Sequence, residues 1–279
     1  MKQPRKHTAL LFIALGIIAL LLLVIDMATG DTYIPVSKVW AVLTGGECDE
    51  MTRNILLSIR FIRVIVAALI GVALSVSGLQ MQTIFRNPLA GPSVLGISSG
   101  ASLGVAFVVL LSGQLGGVAL SRLGFIGEVA LSIAAIVGAL SVMGLIVLAS
   151  RKVAGSVTLL IIGVMIGYIA NAVIGVLKFF SVEEDIKAYV IWGLGSFARV
   201  SGNQMMLFVT IMAVIIPLSF LLIKPLNLLM LGDGYARNLG LNINRARVWV
   251  ITCAGVLTAI VTAYCGPIIF LGLAVPHLC

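Results

Sequence analysis

The sequence predicts an all-α protein that crosses a membrane several times. Three observations carry this. Of 279 residues, 61% are hydrophobic and only 10% are charged, against about 25% charged in a soluble domain. The apolar residues come in long blocks, including charge-free runs of 22 residues (64–85) and 35 residues (87–121), and about 20 apolar residues carry one helix across a bilayer core. The blocks also lack the apolar–polar alternation of an outer-membrane barrel strand.

Taken in order, the charge-free stretches place helices at 8–28, 61–85, 94–113, 126–150, 157–178, 205–224 and 248–265, with another starting at 267. The first block follows a basic start, has no small-residue cleavage site and exceeds a signal-peptide core, so it reads as a mature helix. Seven spans are complete on this reading. Only 12 residues follow Pro267, too few to cross at a rise of about 1.5 Å each. The chain, one permease-like domain over 1–279, is thus expected to stop inside its eighth helix.

The distribution of charge gives an orientation. With the N-terminus inside, the inner loops hold Lys2, Arg5, Lys6, Arg86, Arg151, Lys152, Lys224, Arg237, Arg245 and Arg247 and a single acid, Asp233. The outer side holds eight basic residues and the other nine acids. Ten against eight is a modest positive-inside bias. A net charge of +8 does not point to nucleic acid, because the basic residues are scattered between apolar blocks instead of gathered on one face. Cys48, Cys253, Cys265 and Cys279 have no paired metal-ligand spacing, and the three in or beside apolar blocks read as small core residues.

No Asp, Glu, Lys or Arg sits centrally in an expected span. Proton-coupled carriers place such groups mid-membrane as relays, so an ion-coupled secondary transporter is the weaker alternative. No lysine follows a glycine, which excludes a phosphate-binding loop on this chain. An embedded enzyme would need clustered His, Asp or Glu at the interface. The densest acidic group, Glu183 to Asp185, reads instead as a solvated outer loop.

A weak internal repeat is visible. RVIVAALIGV from Arg63 resembles RVWVITCAGV from Arg247, and GPSVLGI from Gly91 resembles GPIIFLGL from Gly266. The first copy runs inward and the second outward, as in an inverted-topology repeat. The implied unit is five helices, and the whole would have ten.

The stretch RNPLAGPSVLGISSGASLG, residues 86–104, interrupts the apolar run with two prolines. Pro88 and Pro92 remove backbone donors and end the helix before them. Freed carbonyls cannot face lipid, so the break belongs at the interface or against protein or water. Beyond it Gly96, Gly100 and Gly104 fall four apart on one helix face, either for close helix packing or to line a path.

These residues resemble the signature of the FecCD family, permeases of ABC importers for iron–siderophores, haem and cobalamin. IRFIRV (59–64), LLIIGVMIG (159–167), YVIWGLGSF (189–197), LGDGYARNLGLN (231–242) and GPIIFLGLAVPHLC (266–279) agree in order along the chain. The resemblance implies a type II ABC importer permease fold, a ten-helix inverted repeat here truncated in the eighth helix. It also implies a bacterial inner-membrane location with a cytoplasmic N-terminus. The partners implied are a second permease copy or a similar permease, two ATPase subunits that hold ATP and Mg, and a substrate-binding protein. No cofactor is expected on this chain.

Site residues follow in the same way. In the inner segment 225–247, Gly232 and Gly234 allow a bend and Gly240 can end a short helix. That helix would expose Tyr235, Ala236, Arg237 and Leu239. With Leu231 and Asp233 these residues resemble the segment that couples to the ATPase; the other reading is a loop held to anionic lipid by Arg237 and Arg245. Arg60 and Arg63 are either snorkelling side chains or a cationic patch that docks acidic groups of the binding protein. Resemblance suggests a cytoplasmic gate at Asn87, Leu89, Ser156 and Val157, although Asn87 can also simply form a turn.

Overall fold

Helices form where the apolar blocks place them, and the prolines and glycines between them set most of the ends. The computed structural model describes residues 5–30, 32–112, 125–153 and 155–278, and the backbone alone for 5–8, 112, 125 and 156. The long elements are α1 (Arg5–Ala28), α4 (Phe61–Phe85), α5 (Ile97–Ser112), α6 (Phe125–Lys152), α7 (Ser156–Phe180), α9 (Gly202–Ser219) and α12 (Ile243–Cys265). Shorter ones are α2 (Val36–Leu43), α3 (Glu50–Ile55), α8 (Glu183–Gly193), α10 (Ile223–Met230), α11 (Asp233–Asn238) and α13 (Leu271–Leu278). Among the described residues there is no strand.

Among the described residues, six helical runs are long and apolar enough to cross a membrane: Ala9–Ala28, Glu50–Phe85, Ile126–Lys152, Val157–Phe180, Gly202–Met230 and Ile243–Cys265. The third expected span, α5, is shorter, and residues 113–124 after it lie outside the described part. The sixth is not one regular helix. α9, with Pro217 inside it, gives way to a 3-10 turn at Phe220–Leu222 before α10, where Pro225 has no N–H to offer the Leu221 carbonyl four residues back. The run from Glu50 contains a π turn at Leu56–Arg60.

The chain forms two compact units. The first holds residues up to Ala68 with Val200–Met206. Its core is Met27, Ala28, Ile34, Val39, Leu56 and Val64, covered by Leu23, Val42 and Ile55. Most of α1 beyond this core is exposed and apolar, as in Leu10, Phe12 and Leu20. That is a surface for lipid, since water would penalise it.

The second unit holds Leu69–Arg199 and Leu207–Cys279. Its centre is α12, where every residue from Leu257 to Cys265 is buried. There α5 packs along α6 and also touches α7, and α12 packs on α6 and α5. Ser98 and Thr262 share a buried hydroxyl–hydroxyl hydrogen bond of 3.3 Å between α5 and α12, the kind of polar link that joins helices in lipid. The acidic group at 183–185 is not a loop: it forms the first turn of α8, and Asp185 is buried.

Candidate coupling and gate region

In the second unit, the segment 225–247 folds as two short helices around a glycine bend. Gly232 has φ 107° and ψ 151°, a region that glycine alone adopts readily. The bend lets α11 start immediately after α10 ends. At the other end Gly240 has φ 85°, and its N–H donates to the Arg237 carbonyl at 3.0 Å while the Leu241 N–H donates to Ala236 at 3.0 Å. This is the left-handed closure by which helices commonly stop. Asn242 then caps α12, its Oδ1 accepting from the Arg245 N–H at 3.1 Å.

The short helix therefore lies between the two glycines, as expected. Its faces do not all match. Tyr235 and Leu239 are 72% and 61% exposed, and Leu231 and Arg237 are exposed too. Ala236, expected outside, is fully buried. Successive residues on a helix lie about 100° apart, so the face shared by positions 235 and 239 excludes position 236.

Asp233 is also placed differently from a residue free to meet a partner. One carboxylate oxygen accepts from Arg86 Nη2 at 2.6 Å and the other from Arg247 Nη2 at 2.8 Å. Arg86 donates in addition to the Leu229 carbonyl at 3.2 Å. The Arg247 side chain is 9% exposed, Asp233 43% and Arg86 51%, so the carboxylate bridges a covered cation and an open one. Neither Arg86 nor Arg247 was expected here. Arg86 did carry a signal: it is the single charge between two long uncharged runs.

The chain after Arg86 turns at once. Arg86 itself has φ 46°, the only non-glycine residue with positive φ among those described. Asn87 Oδ1 accepts from the Leu89 N–H at 2.9 Å, and the Ala90 N–H donates to the Asn87 carbonyl at 3.0 Å. This Asx turn leaves Leu89 65% exposed. Beside it lies an open cleft of about 430 Å³ lined by Gln82, Thr83, Asn87, Pro88 and Met230. Val157 is exposed at the start of α7; the Ser156 side chain lies outside the described residues.

The three glycines after the turn pack helices, but not as one stripe. Gly96 closes a 3-10 turn, Pro92–Leu95, with φ 74°, and a Cβ there would sit 2.9 Å from the Gly163 carbonyl on α7. Gly100 and Gly104 lie on α5 proper and face α6, where a Cβ would meet the Gly138 and Ala134 carbonyls at 2.6 and 2.1 Å. The turn at Gly96 comes before the helix, which is why the four-residue spacing misled.

In the first unit, Arg60 is the last residue of the π turn and is buried. Its guanidinium donates to the carbonyls of Met27 at 2.8 Å, Ala28 at 3.0 Å and Thr32, and to Thr32 Oγ1 at 3.2 Å. Met27 and Ala28 end α1, whose last carbonyls have no partner within the helix and favour a cation. Arg60 is thus engaged inside the protein, whereas Arg63 is exposed. Nearby, Asp49 caps α3 with 2.6 and 3.0 Å contacts from the Thr52 hydroxyl and N–H, and Lys38 approaches at 3.1 Å. The Thr52 hydroxyl first, then Lys38, hold its carboxyl well below the usual range.

Comparison with known proteins settles the family. The FecCD transport family matches residues 17–279. The chain belongs to the FecCD transport family. Among its relatives, the hemin transport system permease protein HmuU of Yersinia pestis is 31% identical over 99% of this chain and 78% of its own length. The vitamin B12 import system permease protein BtuC of Klebsiella pneumoniae is 32% identical over 99% and 77%. A probable iron chelatin transport system permease protein of Helicobacter pylori is 38% identical over 80% of this chain and 64% of its own length. A solved structure described as an inward-facing conformation of a metal-chelate type ABC transporter covers 96% of this chain and 80% of its own, with TM-score 0.81 and 26% identity. This FecCD chain is therefore a multi-pass, all-helical membrane protein of permease type.

Proposed function

We propose that the chain is the translocation subunit of an ATP-driven importer in a bacterial cytoplasmic membrane, N-terminus inside, carrying a bulky metal chelate of the iron-chelate, haem or cobalamin class. The observation that carries this reading is α11. It offers Tyr235, Arg237 and Leu239 outward from a glycine bend, a short rigid knob suited to a groove on a separate ATPase. The names of the relatives and the inward-facing neighbour support the class of cargo.

On this reading the chain lowers no chemical barrier and binds no cofactor; ATP and Mg belong to two partner subunits. A second permease copy, or a similar permease, pairs with this chain, each permease being built on a ten-helix inverted repeat. A soluble binding protein approaches from outside, with Arg63 as the accessible cation and Arg60 holding the local backbone. The 86–90 turn and the start of α7 form the cytoplasmic gate.

Co-purification tests the coupling role. Arg237→Glu should lower recovery of the partner ATPase about tenfold or more, as charge reversal at an interface commonly does. Unchanged recovery at low salt would remove α11 from the interface. ATP-dependent uptake into vesicles whose ion gradients have been collapsed separates this reading from an ion-coupled carrier.

A further inference from the structure

We propose that Asp233 is a positioning residue for the gate turn and not a docking contact. Its carboxylate, held between Arg86 and Arg247, fastens α11 to the turn at 86–90, so that displacing α11 displaces the turn. This rests on the reading above that α11 meets the ATPase.

The first argument is how the bonds are distributed. Two oxygens of one carboxylate bind two arginines, one at the end of α4 and one in the first turns of α12. A residue committed to a partner surface would leave at least one oxygen outward. Here both point to the same chain, with charge-assisted geometry at 2.6 and 2.8 Å.

The second argument is what Arg86 holds. Its guanidinium also binds the Leu229 carbonyl, so it grips the end of α10 and the start of α11, on both sides of the Gly232 bend. A bend at glycine is the natural place for α11 to pivot, and this grip sets its angle. The backbone of Arg86 is in the left-handed region, which a non-glycine residue occupies only when its surroundings enforce it. The Asx turn of Asn87 and Leu89 follows directly. Movement of the Arg86 side chain therefore reaches the turn through one residue.

The third argument is charge balance. Arg247 is largely covered, and a covered cation needs a counter-charge. Asp233 cannot swing away with α11 without giving up its 2.8 Å bond to Arg247, so this pair ties α11 to α12 while Arg86 ties it to the turn.

The test uses the full chain in complex with its ATPase and a spin label at Leu89→Cys, with the label's signal in the unsubstituted chain subtracted for the native cysteines. Nucleotide should change label mobility in this background. Asp233→Asn should reduce that change about fivefold or more, the lower end of ordinary site-to-site coupling, and should leave ATPase recovery unchanged. Arg86→Gln should do the same, while Asp233→Glu should restore most of it. A full nucleotide response in Asp233→Asn and Arg86→Gln overturns the proposal, as does loss of ATPase recovery in Asp233→Asn alone, which would make it a docking residue. Failure of Arg237→Glu to lower recovery instead overturns the coupling reading itself.

Discussion

Gly104→Ala isolates the contact between α5 and α6. The added methyl carbon would lie 2.1 Å from the Ala134 carbonyl oxygen. Restoring a tolerable separation moves the two helices apart by roughly 1 Å along much of their seam, and overpacking of this kind costs about 1–3 kcal/mol. Helix propensity works the other way, since alanine is favoured over glycine inside a helix by about 1 kcal/mol. The clash is with backbone, which no rotamer change relieves, so the cost wins by up to about 2 kcal/mol. For a chain of this size that lowers the melting temperature by up to about 8 °C. Gly144→Ala is the matched control: it lies on α6 with nothing within 4 Å of an added Cβ, so propensity acts alone and stability should hold or rise slightly. Thermal unfolding in detergent, followed by circular dichroism, measures both. A Gly104→Ala chain melting at or above Gly144→Ala would refute the argument that a missing side chain sets this helix spacing.

Two further outcomes follow from the first unit. Arg60→Gln strips charge-assisted bonds from three carbonyls near the end of α1, so it should cost about 2 kcal/mol or more in thermal or denaturant unfolding, whereas exposed Arg63→Gln should stay within about 0.5 kcal/mol; equal losses would show that the Arg60 network does not hold the fold. Asp49 titrates below its ordinary range because Thr52 and Lys38 favour the charged form, so its contribution is present above the unfolded value of about 3.9 and is lost as pH falls toward the lower folded one. The melting difference between the native chain and Asp49→Ala should therefore be constant above about pH 4 and narrow below it; a difference that widens with acid would reverse the sign.

The spans were legible because in lipid the backbone must satisfy itself, which turns length and apolarity into helices almost by rule. What the sequence could not show were the short helices α2 and α8. The residues of α2 and α8 mix polar and apolar types, and their helical state depends on packing: Val39 joins the first-unit core, and Tyr189 and Trp192 are buried. The short helix α11 was legible from its glycines, but its inward face was not, because Ala236 gives no sign of which side it takes. The charge cluster was hidden for a different reason. Arg86 and Asp233 stand 147 positions apart, and a pairing of that separation leaves no periodic trace. Arg60 was expected in a cationic docking patch or snorkelling at a helix end; the π turn instead turns it onto the end of α1, where it donates to the carbonyls of Met27 and Ala28.

The partial echo between GPSVLGI and GPIIFLGL has a packing explanation that does not depend on shared ancestry. The two stretches differ in backbone. Gly96 is left-handed and closes a 3-10 turn, whereas its counterpart Gly272 is inside α13. Gly91 is extended, whereas Gly266 has φ 81°. Yet within the second unit both stretches are where backbones meet. A Cβ on Gly78 of α4 would fall 1.7 Å from the Gly272 carbonyl, and one on Gly272 would fall 3.0 Å from the Pro92 ring. Gln82 on α4 also donates to the Leu273 carbonyl at 3.1 Å. Each stretch thus needs a proline outside a long helix, at the start of the 3-10 turn for Pro92 and just past α12 for Pro267, and glycines that admit a neighbouring main chain. Two segments under the same demand converge on the same few residues, and α4 is the element that imposes it on α13.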